Sequence, residues 1–283
     1  MDGRKMGIRG LSRYLKNNIN AGVSKINLSE LSGKKVVIDT SIYMYRFNEN
    51  NEMFENFYSM ILMFRRANIT PLFIFDGVPP KEKNETIKER QEEREQACAN
   101  IDNSPHHELK RKRTRVSNKD RKLLKDLFDK CGVMYQFACG EADSVCANYV
   151  IKGEAWACLS DDMDLFVYNC PRVIRYFSLI SKTAILYNLN EILDEMNMSF
   201  DMFQTICILS GTDYNKSNYD IDYLMALYKT QSMHNIDYDS SIVFNLKGLF
   251  TFNNNDCYTT IQSNHYDKQT LKIFLEANNF IFI

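Results

Sequence analysis

Three short apolar runs in this chain each finish on an acid: Val36-Val-Ile-Asp39, Phe73-Ile-Phe-Asp76 and Ala157-Cys-Leu-Ser-Asp161-Asp-Met-Asp164. Runs this short and this rich in β-branched and aromatic residues are expected to be strands, at Val36 to Ile38, Leu72 to Phe75 and Ala157 to Leu159, with two more at Val133 to Phe137 and Val173 to Tyr176. Between them, Met53 to Ala67, Lys122 to Lys130, Ala142 to Ile151 and Phe200 to Leu209 carry apolar residues at helical spacing. Strands alternating with helices imply an α/β fold, a mostly parallel central sheet covered by helices on both faces. Two apolar runs flank Ser181-Lys-Thr183, so Arg175 to Leu186 is expected to form a hairpin that adds an antiparallel edge.

In an open parallel sheet the carboxyl ends of the strands form the crevice where ligands bind. Acids gathered there repel one another and demand a cation. Glu141 and Asp143 follow Phe137-Ala-Cys-Gly140 and open a helix. Positions i and i+2 point apart on a helix, so the two cooperate only if Glu141 lies at its mouth. Asp213 sits after another apolar helix, in Leu209-Ser-Gly-Thr-Asp-Tyr214. Hard oxygen donors without His or Cys suit Mg2+ or Mn2+ and not Zn2+. Each Asp taken singly has a plainer explanation, because Asp at a strand end commonly caps the following helix. Asp39, Asp162 and Asp213 are all open to that reading.

Lys and Arg total 35 against 36 Asp and Glu, so net charge gives no argument for a polyanionic partner and only local charge can. Between Gly77 and Lys125 the chain is charged, nearly free of aromatics, and contains Lys110-Arg-Lys-Arg-Thr-Arg115. Its two halves, separated by polar Asn100 to His107, are expected to be exposed helices joined by a loop. From about Tyr214 onward the composition turns to Asn, Asp and Tyr, which fits a small helical lobe. No apolar stretch approaches the roughly 20 residues of a membrane span, and Met1 to Gly10 lacks an apolar signal core, so no membrane association and an intracellular location are expected. The basic run also fits a nuclear import signal, which favours the nucleus. The eight cysteines show no C-x-x-C pair and suit reduced core thiols.

Six blocks then occur in order: Met6-Gly-Ile-Arg-Gly-Leu11, Val37-Ile-Asp-Thr-Ser-Ile-Tyr43, Phe73-Ile-Phe-Asp-Gly-Val-Pro-Pro80, Gly140-Glu-Ala-Asp143, Ser160-Asp-Asp-Met-Asp-Leu165 and Leu209-Ser-Gly-Thr-Asp-Tyr214. Together they resemble the flap endonuclease family of structure-specific 5′ nucleases. The resemblance implies a PIN-like nuclease core in two parts, residues 6–76 and 126–213, a helical arch at 77–125, and a divergent DNA-binding lobe at 214–283. It implies two Mg2+ ions, replaceable by Mn2+, held by Asp39, Asp76, Glu141, Asp143, Asp162, Asp164 and Asp213. Asp143 stands where the family usually has Glu, and Asp161 matches an acid that is not a ligand. The resemblance further implies that Lys83 and Arg90, two turns apart on one helix face, act as electrophilic catalysts at the scissile phosphate. Gly7 and Arg9 would lie beside the duplex junction, with Lys110, Arg111, Lys112, Arg113 and Arg115 on single-strand phosphates.

The implied partner is branched or flapped DNA, with monomer the default state. Five residues precede the Met6 block, so no role for a free amino terminus is expected unless synthesis begins at Met6. Where the family has a Gly-x-Gly hairpin that grips a duplex phosphate and helps hold K+, this chain has Asp220-Ile-Asp222. Two carboxylates repel a phosphate, which argues against that grip and against a K+ site. Gln269 to Leu275 does not fit a sliding-clamp motif, so clamp binding is not expected. A haloacid dehalogenase-type phosphatase would need a second acid two residues after Asp39, where Ser41 stands, and a PIN-type ribonuclease would lack the basic arch. The alternative is a non-catalytic junction-binding or scaffold protein that keeps the nuclease fold.

Overall fold

The computed structural model describes residues 7–50, 52–99, 116–252, 266–278 and 280. Seven strands form one sheet in the order β1-β7-β6-β5-β2-β3-β4. They are β1 (Val23–Asn27), β2 (Lys35–Asp39), β3 (Thr70–Phe75), β4 (Met134–Phe137), β5 (Ala157–Leu159), β6 (Arg172–Ser178) and β7 (Thr183–Asn188). From β6 through β5, β2 and β3 to β4 every pairing is parallel, whereas β7 and then β1 add antiparallel edges. The five expected strands and the hairpin are all present. β1 escaped the sequence reading because Val23-Ser-Lys-Ile-Asn27 buries only Ile26 and shows no apolar run.

Successive side chains of a strand point to opposite faces, and each face here builds its own core. Val37, Leu72, Ile74, Cys158 and Val173 point into one. Val36, Ile38, Phe73, Phe75, Ala157 and Leu159 point into the other. Burial on both faces is why these strands read as continuous apolar runs and not as alternating ones.

The first core is closed by α1 (Leu11–Asn18), α6 (Ala142–Ile151), the short α7 (Asp164–Val167), α8 (Leu189–Met196) and α9 (Phe200–Ser210). The second is closed by α2 (Thr40–Phe47), α3 (Met53–Arg66) and α5 (Asn118–Cys131), and α4 (Asn84–Ala99) stands apart from both cores. α5 starts with a capping box between Ser117 and Asp120 and stops at Gly132, whose φ is 60°. It buries Leu124, Leu127, Phe128 and Cys131, so residue 125, the expected end of the arch, lies within a core helix. Residues 100–115, with Lys110, Arg111, Lys112, Arg113 and Arg115, lie outside the described residues.

The C-terminal helices are built onto these same cores. α10 (Ile221–Lys229) and α11 (Ser240–Leu249) extend the first through Ile221, Leu224, Met225 and Val243, while α12 (Lys268–Ala277) adds Leu271 and Leu275 to the second. Among the described residues no helix is long and apolar enough to cross a membrane.

In the second core Phe128 stacks on Phe73 with ring centroids 4.3 Å apart, and Phe57 and Phe75 pack around it. Phe128→Ala is expected to destabilise the fold by about 3–5 kcal/mol, read as a lower urea midpoint at unchanged slope.

Candidate active site

β2, β3, β4 and β5 are parallel neighbours, so the residues that follow them emerge on one edge of the sheet. There Asp39 ends β2, Asp76 follows β3, Glu141 lies four residues past β4, and Asp162 and Asp164 follow β5. Asp213 arrives from the turn after α9. The capping role and the clustering role coexist. Asp39 caps α2, its Oδ1 accepting the Ser41 N–H at 3.1 Å. Asp76 Oδ1 accepts the Ala142 N–H at 2.8 Å, and Asp162 Oδ1 accepts the Asp164 N–H at 3.0 Å. Glu141 stands at the mouth of α6, immediately before Ala142, as cooperation with Asp143 requires.

Ser160 ties two acids together, its hydroxyl donating to Asp39 Oδ2 at 3.1 Å and accepting the Asp162 N–H at 3.1 Å. Asp161 turns away. Its carboxylate takes Arg46 and the Tyr176 N–H.

Burial and charge act together on these acids. Burial is the largest influence on Asp39, Asp143, Asp162 and Asp164, and holds all four above the usual carboxylate range. Mutual repulsion adds to it: Asp76 and Asp162 act on Asp39, Asp162 and Asp39 on Asp143, Asp213 on Asp162, and Asp162 on Asp164. Among the described residues, Asp143 Oδ1 and both Asp164 oxygens are buried without a hydrogen-bond partner, a costly state for a carboxylate. A hard cation would relieve it.

Lys83 supplies the nearest positive charge. It closes the 3-10 turn Lys81–Lys83 ahead of α4 and is only 6% exposed. Its Nζ lies 2.7 Å from Glu141, 3.5 Å from Asp213 and 3.8 Å from Asp164. Burial opposes its charge, but Asp164, Glu141, Asp213 and Asp143 outweigh that and hold the ammonium above its ordinary pKa. Arg90, seven residues on, donates to both oxygens of Asp213 at 2.7 and 2.8 Å. The two cations therefore reach the same cluster. Among the described residues no three acids, imidazoles or thiols close around one point as they stand; the Lys83 ammonium sits among the carboxylates instead. The donor set still fits a hard divalent ion, because its orphaned oxygens are all carboxylate oxygens.

Gly7 reaches the cluster from the N-terminal segment. Its φ is +68°, and a Cβ there would lie 2.4 Å from Asp162 Oδ1 and 2.6 Å from Asp164 Oδ1, so the close approach and the backbone conformation both demand glycine. Arg9 turns elsewhere, its guanidinium donating to the Ser217 carbonyl at 3.0 Å. The Asp220 and Asp222 carboxylates are not isolated. Both pair with Arg13 of α1, and Asp220 also caps α10. The Asp222 N–H, followed by the Arg13 guanidinium, holds Asp220 below the usual carboxylate range.

Several contacts were not anticipated from the sequence. The Thr86 hydroxyl donates to the Asp213 carbonyl at 2.7 Å, Lys216 pairs with Glu89, and the Tyr214 hydroxyl donates to Glu141 Oε2 at 2.6 Å. Only the adjacency of Tyr214 and Lys216 to Asp213 hinted at them.

The fold is thus a mostly parallel α/β sheet with acids gathered at its carboxyl edge and two cations reaching in from the segment that opens α4. Residues 6–97 match the XPG N-terminal domain and residues 132–213 the XPG I-region. The chain belongs to the flap endonuclease family. Flap endonuclease 1 of Methanocaldococcus jannaschii is 32% identical over 214 residues, 67% of this chain and 65% of that protein. Flap endonuclease 1 of Glycine max is 29% identical over 248 residues, 78% and 65% respectively, and that of Theileria parva 30% over 234 residues, 74% and 47%. The chain thus spans about half to two thirds of the length of these curated relatives. The solved flap endonuclease-1 of the same archaeon shares the fold at TM-score 0.70 and 24% identity, over 95% of this chain and 94% of that one. The catalytic core of Rad2 in complex with DNA substrate shares it at 0.74 and 17%, over 96% and 95%. Human GEN1 in complex with Holliday junction DNA does so at 0.71 and 18%, over 96% and 74%.

Two outcomes follow for the metal-free protein. Asp143 favours its protonated form more in the fold than in the unfolded chain, so its contribution to stability is present in acid and is lost as pH rises from about 4 through its raised folded value. Asp143→Asn cannot ionise, and in EDTA at neutral pH it is expected to melt above the wild type, by about 2–4 °C for each kcal/mol relieved. The gap should close toward pH 4, and a variant that melts lower at neutral pH would contradict the repulsion described here. Gly7→Ala is expected to melt below the wild type in the same EDTA assay, because its Cβ would collide with the Asp162 and Asp164 carboxylates and the Asp164 N–H at a positive φ.

Proposed function

We propose that this chain is a structure-specific 5′ nuclease that hydrolyses DNA phosphodiesters at single-strand/double-strand junctions, including 5′ flaps. The observation that carries the reading is that acids following β2, β3, β4 and β5 gather at one sheet edge, beside Asp143 and Asp164 oxygens that are buried without a hydrogen-bond partner among the described residues, in a chain of the flap endonuclease family. In this reading Asp39, Asp76, Glu141, Asp143, Asp162, Asp164 and Asp213 hold two Mg2+ ions, with Mn2+ as a substitute. When bound, such ions neutralise phosphate charge, activate water and stabilise the leaving oxygen.

The residues of the chain supply the rest. Asp39, Asp143, Asp164 and Asp213 are buried, so the acid cluster would form a strong field for cations and, once they are bound, for the phosphate they attract. Lys83 and Arg90 start out paired with Glu141 and Asp213. With cations held by those acids, the ammonium and guanidinium would be available to donate to phosphate oxygens as charge develops during P–O cleavage. Their tethering on one short segment keeps them together as they change partners. Asp143, one carbon shorter than Glu, can reach an ion through an intervening water. The Lys110 to Arg115 run supplies phosphate contacts for the single strand, which makes binding salt-dependent. The Rad2 core in complex with DNA substrate and GEN1 in complex with Holliday junction DNA support DNA as the partner class.

Incubation with labelled 5′-flap, blunt duplex and single-stranded DNA, in Mg2+ or EDTA, tests the reading. Incision close to the flap junction is expected in Mg2+ only, with Asp162→Ala reduced by at least about a hundredfold. Tight flap binding without cleavage in either Mg2+ or Mn2+ would replace the enzyme with a junction-binding scaffold.

A further inference from the structure

Tyr214 has no part in the chemistry proposed above, yet it touches both sides of the charge arrangement. Its hydroxyl donates to Glu141 Oε2 at 2.6 Å, while the other oxygen of that carboxylate takes Lys83 at 2.7 Å. The Lys83 ammonium also lies 4.9 Å from the centroid of the Tyr214 ring, where the ring quadrupole attracts a cation. One side chain thus fixes an acid through its tip and a base through its face.

The tyrosine is itself firmly held. Its N–H donates to the Thr212 hydroxyl at 3.0 Å, that hydroxyl donates to Asn215 Oδ1 at 2.7 Å, and the Asn215 amide caps the end of α9 on the Ile208 carbonyl at 2.9 Å. Its ring meets Phe250 edge-on, centroids 5.1 Å apart, and Phe250 meets Tyr168 the same way at 5.3 Å. Phe250 directly follows α11, so the chain of contacts runs from a C-terminal helix to the acid ring.

We propose that Tyr214 is a positioning residue: it fixes the rotamer of Glu141 so that Oε1 faces the acid cluster, and it sets the resting place of Lys83. A free glutamate side chain has several rotamers, and ordering it costs conformational entropy. A phenol anchored at both ends removes that freedom before any ion or phosphate arrives. The ring, in turn, gives the ammonium a second favourable position when Glu141 is drawn to an ion. Tyr214 acts through Glu141 and Lys83 and need touch neither DNA nor metal, so its loss should spare DNA affinity and weaken ion capture and turnover.

This inference rests on the nuclease reading, and the experiment separates the two. Mn2+ binding to the DNA-free protein is followed by electron paramagnetic resonance of free Mn2+. Flap affinity is measured by anisotropy in Ca2+, and single-turnover incision at saturating protein. For Tyr214→Phe, which keeps the ring, the expected result is a Mn2+ midpoint raised several-fold and a single-turnover rate lowered about tenfold, the size of a lost hydrogen bond to a charged group. Flap affinity should stay within about twofold. Tyr214→Leu removes the ring as well and should lower the rate further. Tyr214→Phe matching the wild type in both Mn2+ midpoint and rate overturns the proposal, as does a variant whose only change is weaker flap binding. A wild-type protein that neither binds Mn2+ nor cuts fails the nuclease reading itself.

Discussion

Mutual repulsion among carboxylates crowded at one edge of the sheet is the constraint on which the rest of this structure depends. Four parallel strands, each buried on both faces, bring their ends together whether or not the groups at those ends attract. The two apolar cores supply the free energy that holds the acids in place, at roughly 25 cal/mol for each Å2 of apolar surface removed from water. Backbone N–H groups, the Ser160 hydroxyl, Lys83 and Arg90 each offset part of the repulsion. The orphaned oxygens of Asp143 and Asp164 mark what remains uncompensated. Functional sites commonly carry such local destabilisation, with the rest of the fold supporting it.

The same acids organise elements distant in sequence. The base of α4 is held to the turn after α9 by Thr86 and Arg90 on Asp213 and by Glu89 on Lys216. The N-terminal segment reaches the ring at Gly7, while Arg9 and Arg13 bind it to the residues between Gly211 and Asp222. Arg13 gives Asp220-Ile-Asp222 a structural meaning that the sequence concealed. Two carboxylates that look hostile to a phosphate are here the clasp between α1 and α10.

The charge balance also gives the segment carrying Lys83 and Arg90 its partners. In the absence of other cations, its lysine and arginine neutralise Glu141 and Asp213. The same two carboxylates therefore fix the places of both basic groups.

Much of this was legible in the residues alone. Five strands and the hairpin were visible because continuous apolar runs are what a sheet buried on both faces requires, and their terminal acids were visible because the runs stop on them. The spacing of Lys83 and Arg90 put both on one helix face, whereas Lys83 closes the 3-10 turn just before α4 and only Arg90 lies in the helix. Periodicity did not reveal β1, an edge strand with one buried residue, nor the merging of the C-terminal helices into the two main cores. It could not pair Arg13 with Asp220 and Asp222, Lys216 with Glu89, or Tyr214 with Glu141. Sequence by itself determined which groups carry charge and which segments are strands or helices, since hydrophobic period and side-chain chemistry are local properties. Only the tertiary structure decided which charges face one another, because that depends on where packing brings together elements up to two hundred residues apart.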